Sequence, residues 1–121
     1  MFLATVNQPK QLLYLSFIGQ VGVEELVRGH ADVVQLLAEL PSGFRLLTDL
    51  SRLDSMQVAC AAEIGKEMEL FEQKEVGLVV RVIPDPTKDI GMNILSMFHY
   101  SHRPRTVTCR SMTEAAERLG L

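Results

Sequence analysis

The feature that most constrains the fold of this chain is an alternation of short apolar runs with segments of helical periodicity. The apolar runs, which are rich in residues typical of strands, are FLATV (2–6), LLYLSFI (12–18), FRLLTDL (44–50), VGLVVRVI (76–83) and TVTCR (106–110). Between them, apolar residues recur at helical spacing over residues 23–40, 55–73 and 90–98, and charged residues such as Glu63 and Glu67 are expected to face water. The closing SMTEAAERLGL has the Ser-x-x-Glu spacing of a helix-capping box at Ser111 and Glu114.

This alternation predicts an α/β fold with the element order β-β-α-β-α-β-α-β-α. Strands separated by helices form mainly parallel sheets, because right-handed crossovers place the helices on the sheet faces. The NQPK segment between the first two apolar runs is typical of a hairpin turn, so the first strand is expected to be antiparallel. We therefore predict a single domain over residues 1–121, with one mixed, mainly parallel five-stranded sheet and helices packed on it.

Length and charge narrow the classes of function. A chain of 121 residues fits one domain, and its net charge of −3, from 12 basic and 15 acidic side chains, disfavours nucleic acid as a partner. No apolar run reaches the roughly 18–20 residues of a membrane-spanning helix, and the first residues lack the pattern of a signal peptide. Cys60 and Cys109 lie on elements that both look buried, so free thiols are expected. These features favour a soluble, cytoplasmic protein.

The segment RLLTDLSRLDSMQ (45–57) is the main candidate for a functional site. Its pattern predicts a strand that ends at Asp49 and a helix that begins near Ser55, with Asp54 as the N-cap residue. A hydroxyl at a helix N-terminus lies where backbone N–H groups favour an anion. Two interpretations follow: a well-capped helix start, or a recognition or phosphorylation site formed by Asp49, Ser51, Asp54 and Ser55.

The residues TDLS (48–51), DS (54–55) and the closing CRSMTEAAERLGL, in this order, resemble the sulfate transporter and anti-sigma-factor antagonist (STAS) domain. The resemblance is to small bacterial STAS-like proteins, which share a fold likeness with CRAL-TRIO lipid-transfer domains. In the antagonists of this family, the first serine of an Asp-Ser-Ser-Gly motif accepts a phosphate from a partner kinase. Asp54 and Ser55 match its first half, whereas Met56 and Gln57 depart from it. The resemblance implies a regulatory module that binds a kinase or an anti-sigma-like regulator.

Other candidate sites carry weaker signals. The segment HYSHRPR (99–105) places His102, Arg103 and Arg105 together, which suits either an anion site or a solvated loop. Its His-x-x-His spacing lacks further ligands nearby, so we expect no metal site and no cofactor. The chain has no Gly-x-Ser-x-Gly nucleophile elbow and no glycine-rich nucleotide loop. We therefore predict that the protein is not an enzyme.

A second class of function rests on the segment DIGMNILSMFHY (89–100). Its large apolar side chains, Met92, Met97 and Phe98 among them, suit an apolar groove near residues 90–98, as in a small-molecule or lipid carrier. The same side chains suit the core or the contact surface of a homodimer, and we predict a homodimer that forms through the helix of residues 92–98. The sequence leaves these alternatives open.

Overall fold

The computed structural model describes residues 1–83 and 104–121. Its elements are β1 (Phe2–Asn7), β2 (Leu12–Val21), α1 (Val23–Ala38), β3 (Arg45–Met56), α2 (Cys60–Gln73), β4 (Leu78–Val82), β5 (Arg105–Cys109) and α3 (Met112–Leu119). They form one sheet in the order β1-β2-β3-β4-β5, in which β1 is antiparallel to β2 and the other pairs are parallel. The predicted fold class is confirmed. The helix expected over residues 90–98 lies outside the described residues.

The helices cover both faces of the sheet. The larger core lies under α1 and α2, where Leu13, Phe17, Leu46 and Leu50 point from the strands toward the helices. A smaller core under α3 contains Leu12, Leu47, Val80, Val82, Cys109, Ala115 and Leu119. Cys60 belongs to the first core and Cys109 to the second, so both are buried free thiols, as expected.

The first strand is held to α1 by one close contact. A Cβ atom at Gly29 of α1 would lie 2.6 Å from the ring of Phe2, so the absence of a side chain there lets the ring approach the helix. Phe2 in turn packs against Phe17 of β2, with ring centroids 5.0 Å apart. Aromatic pairs at this distance contribute roughly 0.5–1.5 kcal/mol beyond burial.

The predicted boundary between β3 and α2 is wrong. The strand does not end at Asp49 but continues to Met56, and α2 begins at Cys60. The N-cap residue is Ala59, which makes no side-chain capping bond, so Asp54 does not cap this helix. Ser55 is a strand residue and not the first residue of a helix.

Two β-bulges explain why the sequence pattern misleads here. β3 has one extra residue against β2 between Asp49 and Arg52, and another between Leu53 and Ser55. Each extra residue reverses the face of the sheet to which the following side chains point. Leu50, Leu53 and Met56 therefore all reach the larger core although they lie three residues apart. Spacing of three residues is otherwise typical of a helix.

The predicted capping box of the last helix is confirmed. The Ser111 hydroxyl accepts a hydrogen bond from the backbone N–H of Glu114 at 3.1 Å, and the Glu114 carboxylate accepts one from the backbone N–H of Arg110 at 3.2 Å. At the other end of the helix, the Arg45 guanidinium donates to the carbonyl of Leu119. The Arg45 bond therefore connects the end of α3 to β3, whereas the capping bonds stabilise the start of the helix.

Candidate functional site

The candidate site lies on the sheet face that points away from α1 and α2. Asp49 of β3 pairs with Ser16 of β2 on one side and with Val82 of β4 on the other. Since paired residues of parallel strands share a face, this row lies on the α3 side of the sheet. Asp49 and Ser16 are 4% and 5% exposed. A buried carboxyl group in a sheet requires hydrogen-bond donors.

Asp49 has three such donors. One carboxylate oxygen, Oδ1, accepts from the backbone N–H of Ser51 at 2.9 Å and from the Ser51 hydroxyl at 2.6 Å. The other, Oδ2, accepts from the Tyr14 hydroxyl at 3.3 Å, and the side chain of Tyr14 is also hydrogen-bonded to Ser16. Burial, followed by the negative charge of Asp49, raises the pKa of Tyr14. We call Tyr14, Ser16, Asp49 and Ser51 the Asp49 network.

The Asp49 network lies where the five-stranded part of the sheet ends. β4 stops at Val82, opposite Asp49, and β1 starts opposite Phe17. Beyond this row, β2 and β3 continue as a pair over residues 18–21 and 52–56, which we call the β2–β3 extension. Within the described residues, no third strand pairs with this part of β3.

The two faces of the β2–β3 extension differ in character. Leu53 and Met56 are buried on the α1 and α2 side. Arg52 pairs with Ile18, and Ser55 pairs with Gln20, so Arg52 and Ser55 share the face of the Asp49 network. Both are exposed, as is Asp54, the extra residue of the second bulge. The extension thus carries cationic, anionic and hydroxyl groups outward on a buried apolar base.

The structure separates the four predicted site residues into two groups. Asp49 and Ser51 contact each other directly and are largely enclosed, whereas Asp54 and Ser55 lie farther along the strand and are exposed. The expectation that Ser55 benefits from a helix N-terminus is wrong, because α2 starts five residues later.

Sequence reasoning missed Tyr14 and Ser16, the two β2 members of the Asp49 network. A signal for them was present in the second apolar run, LLYLSFI, where Tyr14 and Ser16 are its two residues with hydroxyl groups. They are two positions apart and therefore share one face of the strand. A polar pair on one face of an otherwise apolar strand indicates a buried hydrogen-bond network.

The remaining candidates are only partly described. Arg105 begins β5 and is exposed, whereas His102, Arg103 and the segment of residues 90–98 lie outside the described residues. In residues 1–83 and 104–121 no three His, Cys, Asp or Glu side chains are arranged to hold a metal ion. The helices of this described part are too short or too polar to cross a membrane.

A shallow, mainly apolar depression lies between α1 and α2. It has a volume of about 250 Å³ and is lined by Val34, Leu37, Ala38, Leu70, Gln73 and Lys74. Small-molecule pockets typically measure about 300–1,000 Å³ and enclose most of the ligand. This depression is therefore smaller than a typical carrier pocket.

Comparisons with solved structures agree on the fold. The chain matches the anti-sigma factor antagonist SpoIIAA in its unphosphorylated form with a TM-score of 0.68 and 14% identity, over 99% of this chain and 98% of that one. The phosphorylated form of the Bacillus cell fate determinant SpoIIAA matches with the same TM-score and identity, over 98% and 99% of the two chains.

An uncharacterised protein of the DUF3478 family from Shewanella loihica, described as having a SpoIIAA-like fold, matches with a TM-score of 0.67 and 15% identity, over 98% of this chain and 92% of that one. Neither protein-family models nor curated proteins match the sequence. At this level of identity the structural matches establish the fold and leave the activity open. The chain has the SpoIIAA-like fold of STAS domains.

Proposed function

We propose that the protein is a non-catalytic regulatory module that binds a protein partner through the outward face of the β2–β3 extension. The observation that carries this proposal is the exposure of Arg52, Asp54 and Ser55 on a bulged pair of strands. Mixed charges and a hydroxyl on a fixed backbone suit recognition of a polar protein surface. The fold supports the proposal, since SpoIIAA, described as an anti-sigma factor antagonist, shares it over nearly its whole length.

The chemistry of the Asp49 network favours positioning over catalysis. A general base needs a free oxygen within hydrogen-bond reach of its substrate. Both oxygens of Asp49 accept hydrogen bonds from Tyr14 or Ser51, and its side chain is buried. In this proposal Asp49 holds the first bulge and thereby sets the direction of the β2–β3 extension.

Among the site serines, Ser55 is the accessible hydroxyl in this proposal. Ser51 is half-buried and its hydroxyl donates a hydrogen bond to Asp49, whereas Ser55 is exposed. Phosphorylation of Ser55 would add about −1.5 to −2 charge next to Asp54 and Arg52. We propose that such a charge alters the binding of the partner and leaves the strand pairing intact.

The test places a photo-crosslinking side chain, p-benzoylphenylalanine, at position 55 and, as a matched control, at position 42. Ser42 is also an exposed serine, but it precedes β3 at the opposite end of that strand. In a lysate of the source organism, we expect a discrete crosslinked adduct from position 55 that is absent at position 42. Equal adduct patterns at both positions would contradict the proposed recognition face.

The second arm tests the role of charge. We expect Ser55→Asp to change the amount of the crosslinked or co-purified partner several-fold, while Ser42→Asp leaves it unchanged. Both variants are melted beside the wild type, because a large loss of stability would explain a binding change trivially. Identical capture by Ser55→Asp and wild type would rule out the charge switch but leave the recognition face standing.

A further inference from the structure

The first strand forms an edge of the sheet among the described residues, because β1 pairs with β2 on one side only. Just before β1, Met1 and Ile18 exchange two backbone hydrogen bonds, in which the nitrogen of each residue donates to the carbonyl of the other. Hydrogen-bonded and non-bonded pairs alternate along an antiparallel ladder. The backbone groups of the odd-numbered residues of β1 therefore face β2, whereas those of the even-numbered residues point away from the sheet. These outward residues are Phe2, Ala4 and Val6.

β1 lacks the features that keep an edge strand from pairing with another chain. Natural edges carry charged side chains, proline or a β-bulge, or are very short. β1 has six residues without a charge or a proline, and its register with β2 has no shift. Pro9 and Lys10 come only in the turn that follows, and the N-terminal amine before β1 is paired with Glu25 at 3.3 Å. The outward N–H and carbonyl groups of β1 are therefore a template for a further strand.

The positions of the outward groups select one register for pairing with a second copy of the chain. In an antiparallel pair centred on Ala4, this residue faces Ala4 of the second copy, and Phe2 of each copy faces Val6 of the other. Each such pair exchanges two hydrogen bonds, so the three pairs form about six. Moving the centre to Leu3 or Thr5 leaves two pairs and about four bonds. The register centred on Ala4 thus uses every outward group of β1.

The side chains of β1 also suit a two-fold axis at Ala4. On the α1 side of the sheet, this small side chain would lie at the axis, with the larger, half-buried Phe2 and Val6 on either side of it. On the other face, Leu3 would face Thr5 of the second copy. Leu3 is 46% exposed in the single chain, so the pairing would bury apolar surface that is open to water.

Charges on α1 complement one another in the same arrangement. α1 packs on β1, with Gly29 against Phe2 near one end of the strand and Glu39 hydrogen-bonded to the turn after the other end. The two-fold axis reverses the second copy, so its Glu39 would lie level with the turn of α1 that contains Gly29. The neighbouring Arg28 is exposed. Arg28 would then lie between Asp32, one turn along its own helix, and Glu39 of the second copy.

We propose that two copies of the protein associate through β1, which pairs antiparallel with β1 of the second copy in a register centred on Ala4. The pairing joins the two sheets into one. Because the antiparallel pairing of an edge with itself uses that edge completely, the assembly closes as a dimer and does not extend into a fibre. β1 begins opposite Phe17, so the outward face of the β2–β3 extension stays accessible in the dimer. Self-association and partner binding are therefore independent.

The first test follows the backbone amides of the wild-type protein by NMR hydrogen exchange, beside sedimentation equilibrium. In the dimer we expect the amides of Ala4 and Val6 to be protected, and to lose this protection on dilution to the monomer. The amides of Leu3 and Thr5, which are bonded to β2, are expected to be protected in both states. A protein that stays monomeric up to millimolar concentration, or a dimer whose outward amides exchange freely, would overturn the proposal.

The second test uses variants of the edge. Ala4→Pro removes an outward N–H group and retains the N–H groups that bind β2, and proline is tolerated at such positions of edge strands. We expect it to raise the dissociation constant of the dimer at least about tenfold. Leu3→Lys places like charges across the axis and is expected to act in the same direction.

The matched control is Val58→Lys, which removes a 69% exposed apolar side chain outside β1 and is expected to leave the dissociation constant unchanged. Should Ala4→Pro not fold, Leu3→Lys decides. A dimer that forms equally well in the folded edge variants would overturn the β1 pairing, and would favour the contact predicted for residues 92–98.

Discussion

Two buried carboxyl groups, Asp49 on β3 and Glu67 on α2, differ in how the surrounding protein satisfies their hydrogen-bonding oxygens. Their side chains are 4% and 3% exposed, and they lie on opposite faces of the sheet. Asp49 accepts three hydrogen bonds from Tyr14 and Ser51, whereas Oε1 of Glu67 has no partner among the described residues. Burial and a neighbouring negative charge raise the pKa of Glu67 to about 8.

The difference follows from the backbone around each group. Inside a helix every N–H group is bonded to the carbonyl four residues back, so α2 has no donor to offer Glu67. A β-bulge interrupts the ladder of strand pairing and leaves an N–H group available. At the first bulge of β3 this is the N–H of Ser51, which Asp49 takes. An irregular strand can therefore stabilise a buried charge that a regular helix cannot.

The largest expected effect is the pH dependence of stability that Glu67 causes. Its pKa is raised above the usual 4.5 on folding, so the folded state binds more protons between pH 4.5 and pH 8. Stability from this group is fully present below pH 4.5, falls as pH rises toward 8 and then levels off. At 1.36 kcal/mol for each pH unit the upper limit is roughly 5 kcal/mol. Urea unfolding at pH 5, 7 and 9 measures the loss.

The matched control for this prediction is Glu67→Gln, which is neutral at every pH. We expect this variant to lack most of the alkaline loss and to exceed the wild type in stability at pH 9. Glu69→Gln, an exposed change on the same helix, is expected to behave like the wild type. Parallel pH curves for wild type and Glu67→Gln would mean that Glu67 is ionised at little cost.

The second-largest effect on stability is expected at Asp49, the buried carboxyl group that has hydrogen-bond donors. Asp49→Ala would leave the Ser51 N–H and the Tyr14 hydroxyl without their acceptor in a buried site. We expect a loss of about 2–4 kcal/mol in the free energy of unfolding, as for other broken buried networks. Asp49→Asn keeps one acceptor oxygen and is expected to lose about half as much. A loss below about 1 kcal/mol for Asp49→Ala would show that the Asp49 network contributes little.

The sequence predicted much of the fold because most strands and helices each keep a single periodicity of apolar residues along their length. The alternation of apolar runs with helical spacing located the five strands, α1 and the capping box at Ser111, and it predicted a mainly parallel sheet with an antiparallel first strand. These features depend on local patterns that a packed structure preserves. Asp49 was singled out because the apolar run of residues 44–50 was expected to end there, at the carboxyl edge of the sheet.

The start of α2 and the burial of Glu67 depend on geometry that a periodic pattern does not encode. The Asp54–Ser55 pair resembles a helix cap, so the start of α2 was placed five residues too early, whereas β3 continues through two bulges to Met56. Glu67 was expected to face water because charged residues rarely lie in a core, yet its position on α2 points inward. In both cases tertiary packing overrides a local preference.

A smaller effect is expected from Tyr14→Phe, which removes one of the three donors to Asp49 and keeps the ring. The bond is long, at 3.3 Å, and the two bonds from Ser51 to Asp49 remain. We therefore expect a loss of about 1 kcal/mol, measured by urea unfolding beside Asp49→Ala. In the Asp49→Ala background the same change should cost less, because the two side chains interact. Equal costs in both backgrounds would show that Tyr14 acts through its ring packing.

The smallest effect is expected at Asp54, the exposed carboxylate on the same strand as Asp49. The sequence pattern assigned Asp54 to a helix cap, whose loss typically costs about 0.5–2 kcal/mol. The structure places it instead at the second bulge of β3, five residues before the Ala59 cap of α2, and its backbone is not in the left-handed region. Alanine fits that backbone, so we expect Asp54→Ala to change the free energy of unfolding by less than about 0.5 kcal/mol. Urea unfolding beside Asp49→Ala measures both aspartates under the same conditions. A loss near 2 kcal/mol for Asp54→Ala would show that an exposed aspartate can contribute as much stability as the buried Asp49. It would also show that the second bulge depends on a carboxylate, as the first does.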